Sequence, residues 1–140
     1  VIAAILGISV AALLIMDSAT TVAPAPQPMK NGSLAFDEAR LAALRAEGKP
    51  VFLYFTADWC VTCKVNEKAA IDRTETSTAF AKAGIQTMVG DYTRRDADIT
   101  RFLAKHGRSG VPLYLYYPPN ADARVLPQIL TVNDLTGLTK

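Results

Sequence analysis

Cysteine is nearly missing from this 140-residue chain: there are two, Cys60 and Cys63. A small domain stapled by disulfides carries more, spread along its length. Two thiols three positions apart are instead reactive, or half of a metal site. Histidine is scarcer still, with His106 alone. An excess of one charge is lacking too: 15 Lys and Arg stand against 13 Asp and Glu, a net charge of +2. With no basic run and no acidic tail, nothing points to nucleic acid. No solenoid-length repeat is visible. No Ser-His-Asp set, phosphate-binding glycine loop or paired-carboxylate site stands out. What the chain does have is apolar mass. Half of its residues are hydrophobic, and its length suits one ordinary domain with a real core.

Part of that mass is not domain-like. Val1 to Met16 is apolar, interrupted only by Gly7 and Ser9, and no charge appears before Asp17. As a helix this run spans roughly 24 Å, against a bilayer core of ~30 Å. The chain starts at Val1 and not at Met, which reads as a fragment or a processed form. Two readings fit residues 1–16: the end of a transmembrane helix, or the apolar region of a signal peptide. The missing basic n-region favours the transmembrane helix. No Lys or Arg follows until Lys30, which favours a domain facing away from the cytoplasm. Residues 17–32 read as a linker, with Pro24, Pro26 and Pro28 in alternation. Such a segment is a semi-rigid spacer or a plain disordered connector.

Residues 33–140 read as the folded domain. Asp37 is a candidate N-cap for a helix over Glu38 to Glu47, stopped by Gly48 and Pro50. Val51 to Phe55 is a continuous apolar run, the pattern of a central strand covered on both faces. A helix should open near Cys60, and another should cover Thr76 to Lys82. Ile85 to Val89 is a second strand, and Asp96 to His106 a helix closed by Gly107. Leu113 to Tyr117 is a third strand, and Val125 to Ile129 a fourth, placed at an edge by Pro127. A last helix should begin at Asn133. The early crossovers favour parallel strands and the later close pair a hairpin. The expected fold is therefore α/β, a mixed four- to five-stranded sheet with helices on both faces, preceded by the apolar membrane segment.

Cys60-Val61-Thr62-Cys63 directly follows a buried strand and begins a helix. Thiolate, not thiol, attacks a disulfide. A helix N-terminus supplies free N–H groups and positive potential for a thiolate at Cys60. Two intervening residues bring the second sulfur into range, so Cys63 can resolve a mixed disulfide made by Cys60. Lys64 adds a nearby cation, and Trp59 can shield one side of the sulfur. Four plainer readings stand beside this one. A zinc half-site lacks further Cys or His ligands. A c-type haem site needs His where Lys64 stands. A structural disulfide around so small a loop would stabilise little. The thiols could also be buried and inert. Helical spacing puts Glu67 four after Cys63 and seven after Cys60, on their face; its plain reading is a solvated carboxylate paired with Lys64 or Lys68. His106 reads as a helix C-terminal residue complementing the dipole.

The run Ala57-Asp58-Trp59-Cys60-Val61-Thr62-Cys63-Lys64, the strand before it and the later Gly110-Val111-Pro112 resemble the thioredoxin superfamily. The stretch is more closely similar to the C-terminal periplasmic domain of the DsbD family of transmembrane thiol:disulfide interchange proteins. Within it, FTADWCVTCKVNE and GRSGVPLYLYYP look most like ScsB-type relatives linked to copper tolerance. The resemblance implies a domain of a bacterial inner-membrane protein, facing the periplasm. A membrane electron-transport domain would supply electrons, and periplasmic thiol proteins would receive them. No metal or other cofactor is implied beyond the Cys60–Cys63 disulfide. Val111-Pro112 matches the family's cis-proline loop and, with Trp59, its client-binding surface; by spacing alone Pro112 is only a strand-start proline. Glu67 matches a family carboxylate placed to move a proton. The family's second carboxylate, six residues before the first cysteine, is Tyr54 here. Two alternatives share the motif: a membrane-anchored module delivering Cu(I) through the thiols, which needs a third ligand, or a reductant in cytochrome c-type biogenesis.

Overall fold

The computed structural model describes residues 29–140. The apolar segment 1–16 and most of the expected linker lie outside the described residues. Among the described residues no helix is long and apolar enough to cross a membrane. Residues 29–32 form a turn, and Asn31 Nδ2 donates to Asp72 Oδ1 at 2.9 Å.

The sheet has five strands: β1 (Leu34–Ala35), β2 (Val51–Thr56), β3 (Gln86–Asp91), β4 (Leu113–Tyr117) and β5 (Arg124–Val125). Their spatial order is β1-β3-β2-β4-β5. β1 and β2 both run parallel to β3, while β4 runs antiparallel to both β2 and β5. The helices are α1 (Glu38–Ala46), α2 (Val61–Asn66), α3 (Thr74–Ala83), α4 (Ala97–Lys105) and α5 (Val132–Thr136). A π turn, Glu67–Ile71, continues α2 without a break.

β2 is central because every one of its residues can be buried. Val51, Leu53 and Phe55 join Leu41 of α1 and Ile99, Phe102 and Leu103 of α4 on one face. Phe52 and Tyr54 join Phe80 of α3, Leu135 of α5 and Ala70 and Ile71 of the π turn on the other. Each fully buried Phe contributes roughly 1.5–3 kcal/mol. α2 begins with Cys60 and Cys63 in the first cluster and ends, through the π turn, in the second.

The ends of the elements follow local chemistry. The Asp37 side chain accepts from Arg40 N–H at 2.8 Å and caps α1. Asp96 caps α4 by accepting from Asp98 and Ile99 N–H. Thr131 and Asp134 form a reciprocal capping box on α5. Gly84 ends α3 in the left-handed region at φ 68°, where a side chain would be strained.

Three expectations change. β1 was not foreseen: a two-residue strand has no readable period. β3 runs past Val89 to Asp91, because Gly90 makes room for Phe55 and does not end the strand. The fourth expected strand shrinks to Arg124–Val125, since Pro127 cannot donate to the ladder and Leu130 turns into the core.

The buried tyrosines set an alkaline limit to stability. Burial pushes Tyr54, Tyr114 and Tyr117 above the ordinary phenol value, and Glu67 and Asp72 push Tyr54 further up. The fold therefore holds these protons more tightly than the unfolded chain, whose phenols titrate near ~10. Their contribution is complete below pH ~10 and is lost as pH rises beyond it, by up to about 1.4 kcal/mol per pH unit for each phenol. Urea unfolding should show stability dropping above that pH, with a shallower drop in Tyr54→Phe. Equal slopes in the two proteins would remove Tyr54 from the account.

Candidate active site

β2 delivers the cysteines. It runs from the buried sheet into Ala57, and Cys60 N–H donates back to Ala57 O at 3.0 Å, which turns the chain into α2. Cys60 is the N-cap residue, and its Sγ accepts from Cys63 N–H at 3.2 Å. Cys60 and Cys63 form a disulfide, with Cα atoms 5.2 Å apart. Cys60 is 7% exposed and Cys63 1%. Both are buried, Cys60 the less so, and its sulfur is the one that faces a backbone N–H at the helix end, a setting that favours a thiolate.

β4 brings the second wall. Phe55 pairs with Leu113, and continuing that register places Pro112 opposite Thr56 and Val111 opposite Ala57. The Val111–Pro112 peptide bond is cis. Val111 packs against the cluster that contains both cysteines.

The loop after β3 makes the third wall, and Thr93 is its hub. Its Oγ1 accepts from Asp58 N–H at 3.0 Å, and its carbonyl accepts from Trp59 Nε1–H at 3.2 Å. Thr93 in turn donates to Asp91; these hydrogen bonds, with help from Lys64 and Arg94 and against partial burial, hold the Asp91 carboxyl below its usual range. Trp59 is 48% exposed, and the Arg95 guanidinium lies 5.0 Å from its ring centroid. The indole is pinned at its nitrogen, carries Arg95 over its ring and leaves about half its surface to solvent.

Glu67 sits on the inner side of α2. Its carboxylate accepts from the Thr56 hydroxyl and pairs with Lys64 Nζ at 3.1 Å. Lys64 also reaches Asp58 at 3.9 Å. The charge of Lys64 is therefore shared between two carboxylates, and little of it is left for the sulfurs. Among the described residues no group of three or more His, Cys, Asp or Glu is placed to hold a metal ion. His106 sits at the α4 C-cap with Nδ1 2.9 Å from Phe102 O. Met88 is fully buried in β3.

A thioredoxin-like family model matches residues 33–119. The chain belongs to the thioredoxin-like family. Its folded part is homologous to the C-terminal domain of DsbD-family proteins. Thiol:disulfide interchange protein DsbD 1 of Pseudomonas aeruginosa is 28% identical over 103 residues, which are 74% of this chain and 17% of that protein. DsbD of Salmonella typhi is 34% identical over 99 residues, covering 66% of this chain and 16% of the relative. The chain thus spans about a sixth of the length of these curated relatives. The oxidised C-terminal domain of Neisseria meningitidis DsbD superposes with a TM-score of 0.59 at 22% identity, covering 75% of this chain and 94% of that one.

In this thioredoxin-like site the structure gathers Trp59, Cys60, Cys63 and Val111-Pro112 at one end of β2, with Glu67 one helical turn behind Cys63. Sequence reasoning missed Thr93 and Asn66. Thr93 gave no signal, because its partners lie 34 and 35 positions away. Asn66 gave a weak one: it is a polar amide three residues after Cys63, on the buried side of the helix. It is 1% exposed and fully engaged, with Nδ2 donating to Tyr114 Oη at 2.8 Å and to Gln128 O at 2.7 Å, and Oδ1 accepting from Leu130 N–H at 3.0 Å.

Proposed function

We propose that this domain is the thiol–disulfide exchange relay of a bacterial inner-membrane protein, facing the periplasm. It takes electrons from a membrane-embedded partner domain and passes them to periplasmic acceptor thiols. The observation that carries this reading is the disulfide between an N-cap cysteine and its buried neighbour, on a domain homologous to part of thiol:disulfide interchange proteins. The motif runs FTADWCVTCKVNE and GRSGVPLYLYYP support the ScsB-type branch linked to copper tolerance.

In the reduced domain the Cys60 thiolate attacks a sulfur of the acceptor disulfide. A Cys60–acceptor bond forms and the acceptor's own S–S bond breaks, releasing one acceptor thiolate. Cys63, deprotonated, then attacks Cys60 Sγ, closing the internal disulfide and releasing the second thiolate. Two electrons leave the domain and reduce the acceptor; the two protons lost by the cysteines end on its thiols. A membrane dithiol reverses these steps to recharge the domain. Trp59, Val111 and Pro112 form the surface against which the acceptor is held.

Glu67 accepts the Cys63 proton in this scheme. It is a carboxylate on the same helix, hydrogen-bonded by Thr56 and ion-paired with Lys64. Tyr54 cannot substitute, because burial and neighbouring carboxylates push its phenol up, away from neutrality. The reduced full chain should accelerate reduction of insulin disulfides by dithiothreitol, and Cys60→Ser should return the rate to background. Glu67→Gln should displace the pH profile of exchange, and Tyr54→Phe should leave it in place. A wild-type chain inert toward insulin would sink the relay reading; a Glu67→Gln profile superposing on wild type would remove only the proton role.

A further inference from the structure

One buried side chain and one surface pair lie outside the chemistry just described, and together they connect two of the site's three walls. Asn66 follows Cys63 by three residues in α2. Its amide holds both sides of Ile129: Nδ2 donates to Gln128 O and Oδ1 accepts from Leu130 N–H. Gln128 is exposed, but its side-chain amide is held from another direction. Its amide nitrogen faces the Arg108 guanidinium, two donors against each other; the opposite amide orientation, which removes that conflict, has the oxygen accepting from both terminal nitrogens of Arg108, with Nη2 at 3.2 Å. Arg108 stands two residues before Gly110, in the segment that enters cis Val111-Pro112. In that orientation two hydrogen-bonded links, Asn66 to the Gln128 backbone and the Gln128 side chain to Arg108, connect the cysteine helix to the chain segment that leads into the proline loop. The third wall, with Thr93, is anchored separately through Asp58 and Trp59.

In the exchange proposed above, the incoming sulfur lines up with Cys60 while the acceptor is held against Val111 and Pro112. Those two surfaces belong to different elements, and the β2–β4 ladder that joins them has its last pair at Phe55 and Leu113, short of both the cysteines and Pro112. We infer that Asn66, Gln128 and Arg108 are positioning residues that fix the proline loop against the cysteine helix, and so determine how well a protein disulfide, as opposed to a small one, is presented to Cys60. This rests on the exchange function proposed above. A small aromatic disulfide needs access to Cys60 alone. A folded or extended polypeptide needs both surfaces at once.

The test compares two substrates on the reduced full chain, insulin and Ellman's reagent, in Gln128→Ala, Arg108→Ala, their double variant and Asn66→Ala. Misplacement of a bound substrate by even an ångström costs rate steeply. Each surface variant should lower the insulin rate by roughly tenfold and leave the rate with Ellman's reagent within about twofold. The double variant should lose no more than either single one, because both cut the same link. Asn66→Ala should show the same split between substrates. If it does not fold, the two surface variants decide the matter, since Gln128 is exposed and Arg108 only partly buried. Two results overturn the inference. An unchanged ratio of the two rates means that these links do not govern presentation. Losses that multiply in the double variant mean that each side chain touches the substrate independently. Failure of the wild-type chain to reduce insulin at all is a different outcome, and it counts against the exchange function itself.

Discussion

Cys63→Ser should accumulate a covalent complex with the natural acceptor, and Cys60→Ser should form almost none. The asymmetry follows from burial and from the helix. Cys60 is the more open sulfur, and its Sγ already accepts the Cys63 N–H. Cys63 is 1% exposed, which leaves almost no surface for a partner to reach. With serine at 63 the first step proceeds and the second has no thiolate, so the mixed disulfide persists. With serine at 60 the attacking thiolate is gone, and exchange should fall by at least about a hundredfold. Non-reducing electrophoresis of cells carrying each variant measures both outcomes, and mass spectrometry of the reductant-released band names the acceptor. A periplasmic thiol protein, or another domain of the same polypeptide, is expected. The same order should hold in alkylation of the reduced chain near neutral pH, with Cys60 modified first. Preferential labelling of Cys63, or a trap formed only by Cys60→Ser, would reverse the two roles.

Much of this site was legible because its signals are local. A strand of unbroken apolar residues, a sharp turn and a helix start lie within sixteen positions, Val51 to Asn66, and each constrains the next. The roles proposed for the cysteines come from that local order. The elements that failed to show were those set by distant partners. β1 exists only because Leu34 and Ala35 find Met88 and Val89. Thr93 shapes the site only because the β3–α4 loop folds back over Asp58 and Trp59. Lys64 pairs with Glu67, one of the partners its helical spacing offers, and also reaches Asp58, which lies before the helix begins. Helical spacing alone does not separate a catalytic Glu67 from a solvated one, because Thr56 Oγ1, which reaches its carboxylate, lies eleven residues earlier on another element.

Among the described glycines, Gly90 is the one where a single added methyl group should do the most damage. It lies in β3 directly across from Phe55 of β2. A Cβ there would stand 2.5 Å from Phe55 Cε1 and 3.4 Å from Phe36 Cβ. Phe55 has little freedom to yield. It is fully buried, its ring meets Phe36 at 4.8 Å and Phe102 at 5.2 Å, and those two rings meet each other at 4.9 Å. Glycine within a strand often marks such a close approach, here of a ring to a backbone. Gly90→Ala should therefore destabilise the fold by about 3 kcal/mol, at the upper end of what overpacking costs, and Gly90→Val by more. The effect should extend to the site, because Phe55 is followed by Thr56 and pairs with Leu113, next to Pro112. Urea unfolding of the variants measures the first effect, and the rate with Ellman's reagent the second. Phe55→Leu in the Gly90→Ala background should recover part of the stability, since the smaller side chain frees the space the methyl needs; the double-mutant cycle isolates that coupling. If Gly90→Ala unfolds at the wild-type urea midpoint, Phe55 is not held as described. If the double variant is simply the sum of the two single losses, the clash lies elsewhere.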